Sequence, residues 1–187
     1  MNLANKITLV RIFMVPVFMV VLMLQTININ YTVPCDIAAT IIFAVAALTD
    51  GLDGYVARKH NQITDFGKFV DPLADKLLVA TALIALVELG RIPAWMPVII
   101  IAREFIVTSL RIVAMGSGVV LAANMTGKIK TVIQIIAIIC ALLLYTDRFS
   151  IHGFSIGYIA MAISTLFTIY SGVVYLKDNW KLINTFK

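Results

Sequence analysis

Residues 50–75 read DGLDGYVARKHNQITDFGKFVDPLAD and hold half of the acidic residues in this chain. They are Asp50, Asp53, Asp65, Asp71 and Asp75. The remainder of the sequence is strongly apolar. Because a charge at the centre of a membrane helix costs about 2.5 to 3.5 kcal/mol, an acidic cluster in such a chain indicates a functional site.

Four of these carboxylates form two spaced pairs. Asp50 lies three residues before Asp53, and Asp71 lies four residues before Asp75. On α-helices both spacings place the two members of a pair on one face. Two facing pairs bring four negative charges together, which favours a cation among them, and hard oxygen ligands suit Mg²⁺, Mn²⁺ or Ca²⁺. The pattern therefore predicts a divalent metal site.

The composition indicates an integral membrane protein with an all-α fold. Mean hydropathy is +0.98, and the 61% of hydrophobic residues exceeds the roughly 45 to 50% of soluble domains. About 20 apolar residues cross a bilayer as a helix. We find six such segments within a single domain, residues 1–187. Their predicted limits are 7–29, 35–57, 72–89, 94–115, 129–146 and 154–176. Cys35 and Cys140 lack metal-ligand spacing and are interpreted as packing residues.

The positions of the basic residues predict the orientation. Arg91 and Arg148 fall on one side of the predicted spans, Arg103 lies inside a span, and the other basic residues lie on or near the opposite side. By the positive-inside rule both termini are cytoplasmic. The net charge of +5 then reports topology and contact with anionic lipid, not nucleic acid. The aspartate cluster falls at the cytoplasmic ends of helices 2 and 3, within reach of a water-soluble substrate.

The loop between these helices has a fixed pattern, D-x2-D-G-x2-A-R-x8-G-x3-D-x3-D. Its positions are Asp50, Asp53, Gly54, Ala57, Arg58, Gly67, Asp71 and Asp75. This pattern matches without departure the signature of the CDP-alcohol phosphotransferases, and the chain resembles that family over its whole length. The resemblance implies a homodimer of six-helix membrane enzymes that transfer a phosphatidyl group from CDP-diacylglycerol to an alcohol and release CMP. It also implies that Asp75, besides binding Mg²⁺ or Mn²⁺, is the general base.

Residues within and before the motif are candidates for binding CDP-diacylglycerol. Gly54 and Gly67 would let the nucleotide approach the backbone, and Arg58 can pair with a phosphate. Thr64 is either an N-cap of helix 3 or, as its place in the motif favours, a phosphate contact. Asp65 is absent from the family pattern and is interpreted as a solvated or capping charge. Pro72 favours a helix start.

The segment before helix 1 leaves two interpretations open. Asn5, Thr8 and Arg11 resemble the part of the family that helps to hold the nucleotide-lipid. Alternatively, Asn5 or Thr8 is a helix N-cap and Arg11 is an anchor at the lipid headgroups.

Helix 4 and the start of helix 5 carry a second group of charges. Arg103, Arg111 and Lys128 are predicted to bind an anionic acceptor, with Lys130 a further candidate. The alternative is a structural salt bridge between Glu104 and an arginine. The stretches AREFIVTSLR and GKIKTVIQ also resemble the bacterial branch of the family that forms phosphatidylglycerophosphate, which implies glycerol 3-phosphate as the acceptor.

Three other functions remain open at this point. A sister enzyme of the family would use inositol phosphate, serine or phosphatidylglycerol as its acceptor. A membrane prenyltransferase is also rich in aspartate, but its two motifs lie far apart in the chain. A cation-coupled transporter usually carries its site near the membrane midplane, between repeats, and no repeat is visible here.

Overall fold

The structure is a computed structural model that describes residues 3–27, 29–59, 65–116, 125–145, 150–151 and 154–180. Side chains are described within these ranges except at 3–7, 29, 50–73, 75 and 150–151. The six helices are α1 (Leu3–Met23), α2 (Thr32–Lys59), α3 (Asp65–Glu88), α4 (Trp95–Gly116), α5 (Met125–Leu143) and α6 (Ile156–Asp178). Two 3₁₀ turns, Leu24–Thr26 and Ile29–Tyr31, lie between α1 and α2.

All six predicted helices are present, but several ends differ from the hydropathy limits. The predicted start of helix 3 at Pro72 is wrong, because α3 begins at Asp65 and continues through Pro72. Helix 1 starts at Leu3 and gives way to a 3₁₀ turn after Met23. Hydropathy marks only the part of a helix that suits hydrocarbon, whereas backbone hydrogen bonds continue into polar segments.

One short β-hairpin departs from the all-α prediction. Strand β1 (Ser150–Ile151) pairs antiparallel with β2 (Phe154–Ser155) immediately before α6. The side-chain oxygen of Ser155 then accepts a hydrogen bond from the backbone N–H of Tyr158 at 3.1 Å. Ser155 is thus the N-cap of α6, which fixes where that helix begins.

The helices pack as one bundle. α1 lies against both α2 and α3, α6 lies against α4 and α5, and α2 contacts α5. Phe18 of α1 and Phe43 of α2 are buried with their ring centroids 6.0 Å apart. The two helices that carry the aspartate motif are therefore held together by a common neighbour, α1.

The outer surface of the bundle is apolar, whereas part of its interior is polar. Phe13, Ile106 and Leu166 are exposed, while Thr8, Gln134 and Thr168 are buried. Among the described residues, four helical segments are long and apolar enough to cross a membrane, and they lie in α1, α2, α5 and α6. α3 and α4 carry more charged residues. An apolar exterior over a polar interior is the arrangement expected of a bundle in lipid.

Arg91 joins four parts of the chain at the turn between α3 and α4. Its Nη2 donates to Oδ1 of Asp36 at 2.7 Å and to Oε1 of Gln25 at 2.8 Å. Its Nη1 donates to the carbonyl of Leu142 at 2.9 Å, and its guanidinium lies over the ring of Tyr145. A single buried cation thereby connects the ends of α1 and α5 with the start of α2.

Close approach of α5 and α6 depends on Gly157. A Cβ atom at this position would lie 2.6 Å from Cα of Ala141 and 2.9 Å from the carbonyl oxygen of Cys140. Since backbone atoms cannot move aside as a side-chain end can, α6 tolerates only glycine at this contact.

The two cysteines are free thiols, as their interpretation as packing residues requires. Cys35 is buried and Cys140 is half-buried.

We expect Gly157→Ala to destabilise the protein by about 1 to 3 kcal/mol, because the added methyl overpacks a backbone contact. The midpoint of thermal unfolding in detergent measures the effect. Gly116→Ala is the matched control, since a Cβ there meets nothing within 4 Å. Equal midpoints for the two variants would contradict the close contact between α5 and α6.

Candidate active site

The aspartate motif spans α2 and α3, as the sequence predicts. Asp50 and Asp53 lie in the last third of α2, and Asp71 and Asp75 lie in the first half of α3. The two helices contact each other and share α1 as a neighbour. Carboxylate oxygens from two adjacent helices fit a hard divalent cation. The side chains of these four aspartates are not among those that the structure describes.

For the predicted nucleotide contacts within the motif, the structure shows which helix carries a residue but not what its side chain contacts. Gly54 and Arg58 lie in α2, and Gly67 lies in α3. Their surroundings lie outside the described side chains, and Thr64 lies outside the described residues altogether. Asp65 is the first residue of α3. At this position a negative charge interacts favourably with the helix dipole.

The first turns of α1 exclude an N-cap role for Asn5 and Thr8 and a headgroup-anchor role for Arg11. α1 begins at Leu3, so Asn5 and Thr8 lie inside the helix and are not its N-cap. Thr8 is buried, and Arg11 is 1% exposed. A residue so deeply buried does not anchor the protein at lipid headgroups. Thr8 and Arg11 therefore lie in the interior of the bundle, on a helix that packs against both α2 and α3.

Glu104 of α4 holds two cations. Its Oε1 accepts a hydrogen bond from Nζ of Lys130 at 2.5 Å and another from Nη1 of Arg103 at 3.0 Å. Lys130 is 4% exposed and comes from α5. The alternative interpretation, a salt bridge between Glu104 and an arginine, is confirmed for Arg103, but the closer partner is a lysine from another helix. The carboxylate thus joins α4 to α5.

Arg103 occupies a slot formed by small residues of two helices. Its Nη2 donates to Oγ of Ser171 at 2.8 Å. A Cβ atom on Gly172 would lie 3.1 Å from Cγ of Arg103, and one on Gly127 would lie 4.0 Å from its Nη2. The absence of side chains at these glycines lets the long arginine side chain pass between α5 and α6.

Arg111 is oriented by Tyr175 of α6. Its Nε donates to the phenolic oxygen of Tyr175 at 3.2 Å, and its guanidinium carbon lies 5.5 Å from the centroid of that ring. Tyr175 is buried. Arg111 is therefore partnered by a neutral side chain rather than by Glu104. Lys128, the other predicted acceptor contact, is exposed in the first turn of α5.

Lys76 was predicted from the sequence only to be one of the basic residues that indicate the orientation in the membrane. It directly follows Asp75, and its Nζ donates to Oγ1 of Thr108 at 2.6 Å. This hydrogen bond joins α3 to α4 one helical turn from Glu104. The roles of Lys76, Ser171 and Tyr175 were missed because their partners are distant in sequence. The one available signal was a lysine beside a motif aspartate in an otherwise apolar helix.

A pocket of about 160 Å³ opens between α3, α4 and α5. Lys76, Glu104 and Lys130 line one part of it, and aliphatic residues line most of the remainder. Lys76 of α3 and Lys130 of α5 thus lie at the edge of an apolar space beside α3, the helix that carries Asp71 and Asp75.

Comparison with known proteins places the chain in a family. The sequence model of the CDP-alcohol phosphatidyltransferase family matches residues 1–170. The chain belongs to this family of membrane transferases. Membership sets aside the prenyltransferase and transporter alternatives.

Individual relatives are more specific. The chain is 48% identical, over 98% of both sequences, to a protein of Bacillus subtilis named CDP-diacylglycerol–glycerol-3-phosphate 3-phosphatidyltransferase. A Wigglesworthia glossinidia brevipalpis protein with the same name is 35% identical over 97% of this chain and 96% of its own. A probable phosphatidylglycerophosphate synthase of Mycobacterium tuberculosis is 40% identical over 94% of this chain and 80% of its own.

We expect Glu104→Gln to destabilise the protein by about 1.5 to 3 kcal/mol, because it weakens the charge-assisted hydrogen bonds that Glu104 accepts from Lys130 and Arg103. Unfolding midpoints in detergent measure this loss. Glu88→Gln, at an exposed position of α3, is the matched control. A Glu104→Gln protein as stable as the control would show that the pair contributes nothing.

Proposed function

We propose that this protein transfers a phosphatidyl group from CDP-diacylglycerol to glycerol 3-phosphate, which gives phosphatidylglycerophosphate and CMP. One observation carries the proposal. The complete aspartate motif lies across two contacting helices of a chain that matches a relative named for this reaction along nearly its whole length.

Asp50, Asp53, Asp71 and Asp75 would hold one or more divalent cations, Mg²⁺ or Mn²⁺. When bound, the metal neutralises pyrophosphate charge. Asp75 also takes the proton from the acceptor hydroxyl. The acceptor oxygen then forms a bond to the phosphorus that carries the diacylglycerol, and the bond from that phosphorus to the CMP oxygen breaks. Direct displacement of this kind requires both substrates together, so the kinetics are sequential.

We assign CDP-diacylglycerol to the motif side of the bundle. Gly54, Arg58, Thr64 and Gly67 bind its pyrophosphate, and Asn5 and Thr8 of α1 approach from the neighbouring helix. The burial of Thr8 beside the motif helices supports this assignment, since a hydroxyl in that position faces the bundle rather than lipid.

The acceptor phosphate is assigned to Arg103, Arg111 and Lys128. Arg103 already donates to Glu104 and Ser171. Arg111 uses Nε for Tyr175, and within the described part of the chain its two Nη groups make no further hydrogen bond. A guanidinium whose two terminal nitrogens are available suits bidentate binding of a phosphate. Tyr175 is then a positioning residue for Arg111.

The membrane arrangement is part of the same proposal. All six helices span the bilayer, both termini are cytoplasmic and the active site faces the cytoplasm, where glycerol 3-phosphate is dissolved. The distribution of basic residues supports this orientation. Among the described side chains of α3 and α4, Lys76, Arg103 and Glu104 are accommodated by hydrogen bonds to partners on other helices. We also propose that the enzyme is a homodimer, as its family resemblance implies.

We expect purified protein to release CMP from CDP-diacylglycerol when glycerol 3-phosphate and Mg²⁺ or Mn²⁺ are supplied, with the phosphatidylglycerophosphate product identified by mass. EDTA should abolish turnover, since four converging carboxylates need a cation. Inositol 1-phosphate, serine and phosphatidylglycerol are tested in parallel. Use of one of these acceptors in place of glycerol 3-phosphate would refute the acceptor assignment, and full activity in EDTA would refute the metal site.

We expect Arg111→Ala to raise the KM for glycerol 3-phosphate about 10- to 100-fold through loss of charge-assisted contacts. Tyr175→Phe keeps the ring and removes the acceptor of the Nε hydrogen bond, so it should raise this KM about 3- to 10-fold. The KM for CDP-diacylglycerol should stay unchanged in both. Tyr170→Phe, on the exposed side of α6, is the matched control. Equal increases for the two substrates would contradict a selective acceptor role.

A further inference from the structure

Lys76 of α3 has no role in the reaction as proposed. Its side chain is half-buried and lines the pocket between α3, α4 and α5. Its Nζ donates to Oγ1 of Thr108 at 2.6 Å, and within the described part of the chain the ammonium makes no other hydrogen bond and no ion pair. A neutral hydroxyl orients an ammonium without cancelling its charge. Lys76 therefore brings to the interior of the bundle a positive charge that a ligand can use.

Lys130 lines the same pocket but has different partners. It donates to Oε1 of Glu104 at 2.5 Å and takes part in a further interaction. Arg103 also donates to Glu104, at 3.0 Å, and to Ser171 of α6. These two cations thus connect α4, α5 and α6, whereas the described partner of Lys76 is a single neutral side chain.

Arg111 is a second cation with a neutral partner, and it lies one helical turn from Thr108. Its Nε donates to the phenolic oxygen of Tyr175 on α6. Thr108 and Arg111 are three residues apart in α4, so their Cβ atoms lie about 5–6 Å apart on one face of the helix. Thr108 receives Lys76 from α3. This turn of α4 therefore brings together two cations whose described partners are both neutral.

We propose that Lys76 is a further binding residue for the phosphate of the acceptor, with Thr108 as its positioning residue and Arg111 as the second cation. The inference rests on the proposed function, because it names one more contact of the same substrate. A phosphate monoester carries a charge of about −1.5 to −2 at pH 7, which one cation does not neutralise. The guanidinium supplies parallel donors, and the ammonium supplies a compact point charge.

The place of Lys76 in α3 also restricts the class of acceptor. Lys76 directly follows Asp75, the proposed general base. An acceptor whose phosphate binds Lys76 must therefore carry its reacting hydroxyl only a few bonds from that phosphate. Short phosphorylated alcohols such as glycerol 3-phosphate meet this condition. A neutral polyol lacks the group that Lys76 binds.

The hydrogen bond from Lys76 to Thr108 also has a purely structural explanation, a link between α3 and α4. Loss of such a link would lower the stability of the fold and would affect the binding of both substrates alike. Loss of a phosphate contact would raise the KM for the acceptor alone, and another cation at the same position would restore it. The two explanations therefore give different results for the same variants.

The test measures steady-state kinetics of the purified full-length protein in detergent, with glycerol 3-phosphate and CDP-dioleoylglycerol varied in turn. Lys76→Met keeps the length of the side chain and removes its charge, and Lys76→Arg keeps the charge. Lys177→Met, at an exposed position in the last turn of α6, is the matched control. Thr108→Val removes the hydroxyl, and Ser109→Ala, at the exposed next position of α4, is its control.

We expect Lys76→Met to raise the KM for glycerol 3-phosphate about 10- to 100-fold, because a charge-assisted contact is lost. Lys76→Arg should recover most of this loss, and Thr108→Val should raise the same KM about 3- to 10-fold. The KM for CDP-dioleoylglycerol and the kinetics of both controls should stay unchanged. An unchanged KM for glycerol 3-phosphate in Lys76→Met, or an equal rise for both substrates, would overturn the proposal.

Binding without turnover separates this inference from the proposed function. With Mg²⁺ but without CDP-diacylglycerol, glycerol 3-phosphate should raise the unfolding midpoint of the wild-type protein, and Lys76→Met should reduce that rise. If this difference is found but no CMP is released in the full reaction, the proposed function fails and the assignment of Lys76 stands. Equal shifts in the two proteins would overturn the assignment. If Lys76→Met does not purify as a monodisperse protein, the same comparison with Thr108→Val decides.

Discussion

The ion pair between Glu104 and Lys130 is the interaction on which the centre of this bundle depends. α4 and α5 each carry charged residues that would be unfavourable in an apolar interior without a partner. The 2.5 Å contact pairs them, and Arg103 extends the pair to Ser171 of α6. Three helices are thereby fixed relative to one another by polar contacts. Burial of apolar area would fix the relative placement of these helices poorly, because the surrounding lipid is itself apolar.

A second cluster applies the same constraint at the turn between α3 and α4. Arg91 is buried, and its donors are taken by Asp36, Gln25 and backbone carbonyls near the end of α5. This cluster lies at the C-terminal end of α3, away from the aspartate motif. The second half of α3 lies between this cluster and the hydrogen bond from Lys76 to Thr108, and Asp71 and Asp75 come directly before Lys76. Polar contacts thus anchor the helix that supplies half of the proposed metal ligands.

The same constraint explains how a site for charged substrates exists in an apolar chain. Among the described side chains, Arg103 and Lys130 pair with Glu104. Arg111 instead donates to Tyr175 and Lys76 donates to Thr108, and both of these partners are neutral. A neutral partner orients a cation without cancelling its charge, so that charge remains to attract an anion. Arg111 and Lys76 keep a charge that can attract an anion, whereas Arg103 divides its donors between Glu104 and Ser171.

The sequence by itself determined the class of fold, the six helices and the family, because hydropathy and motif spacing are local properties. It misplaced the start of α3, since hydropathy does not report where helical hydrogen bonding begins. Nor could it choose between a cap and a buried role for Thr8, which depends on where α1 packs. Only the tertiary structure decided which charges pair: Lys130 is 26 residues from Glu104, Tyr175 is 64 from Arg111, and Asp36 is 55 from Arg91. Such partners are brought together by helix packing, and the energy of a buried charge depends on the neighbours that packing supplies.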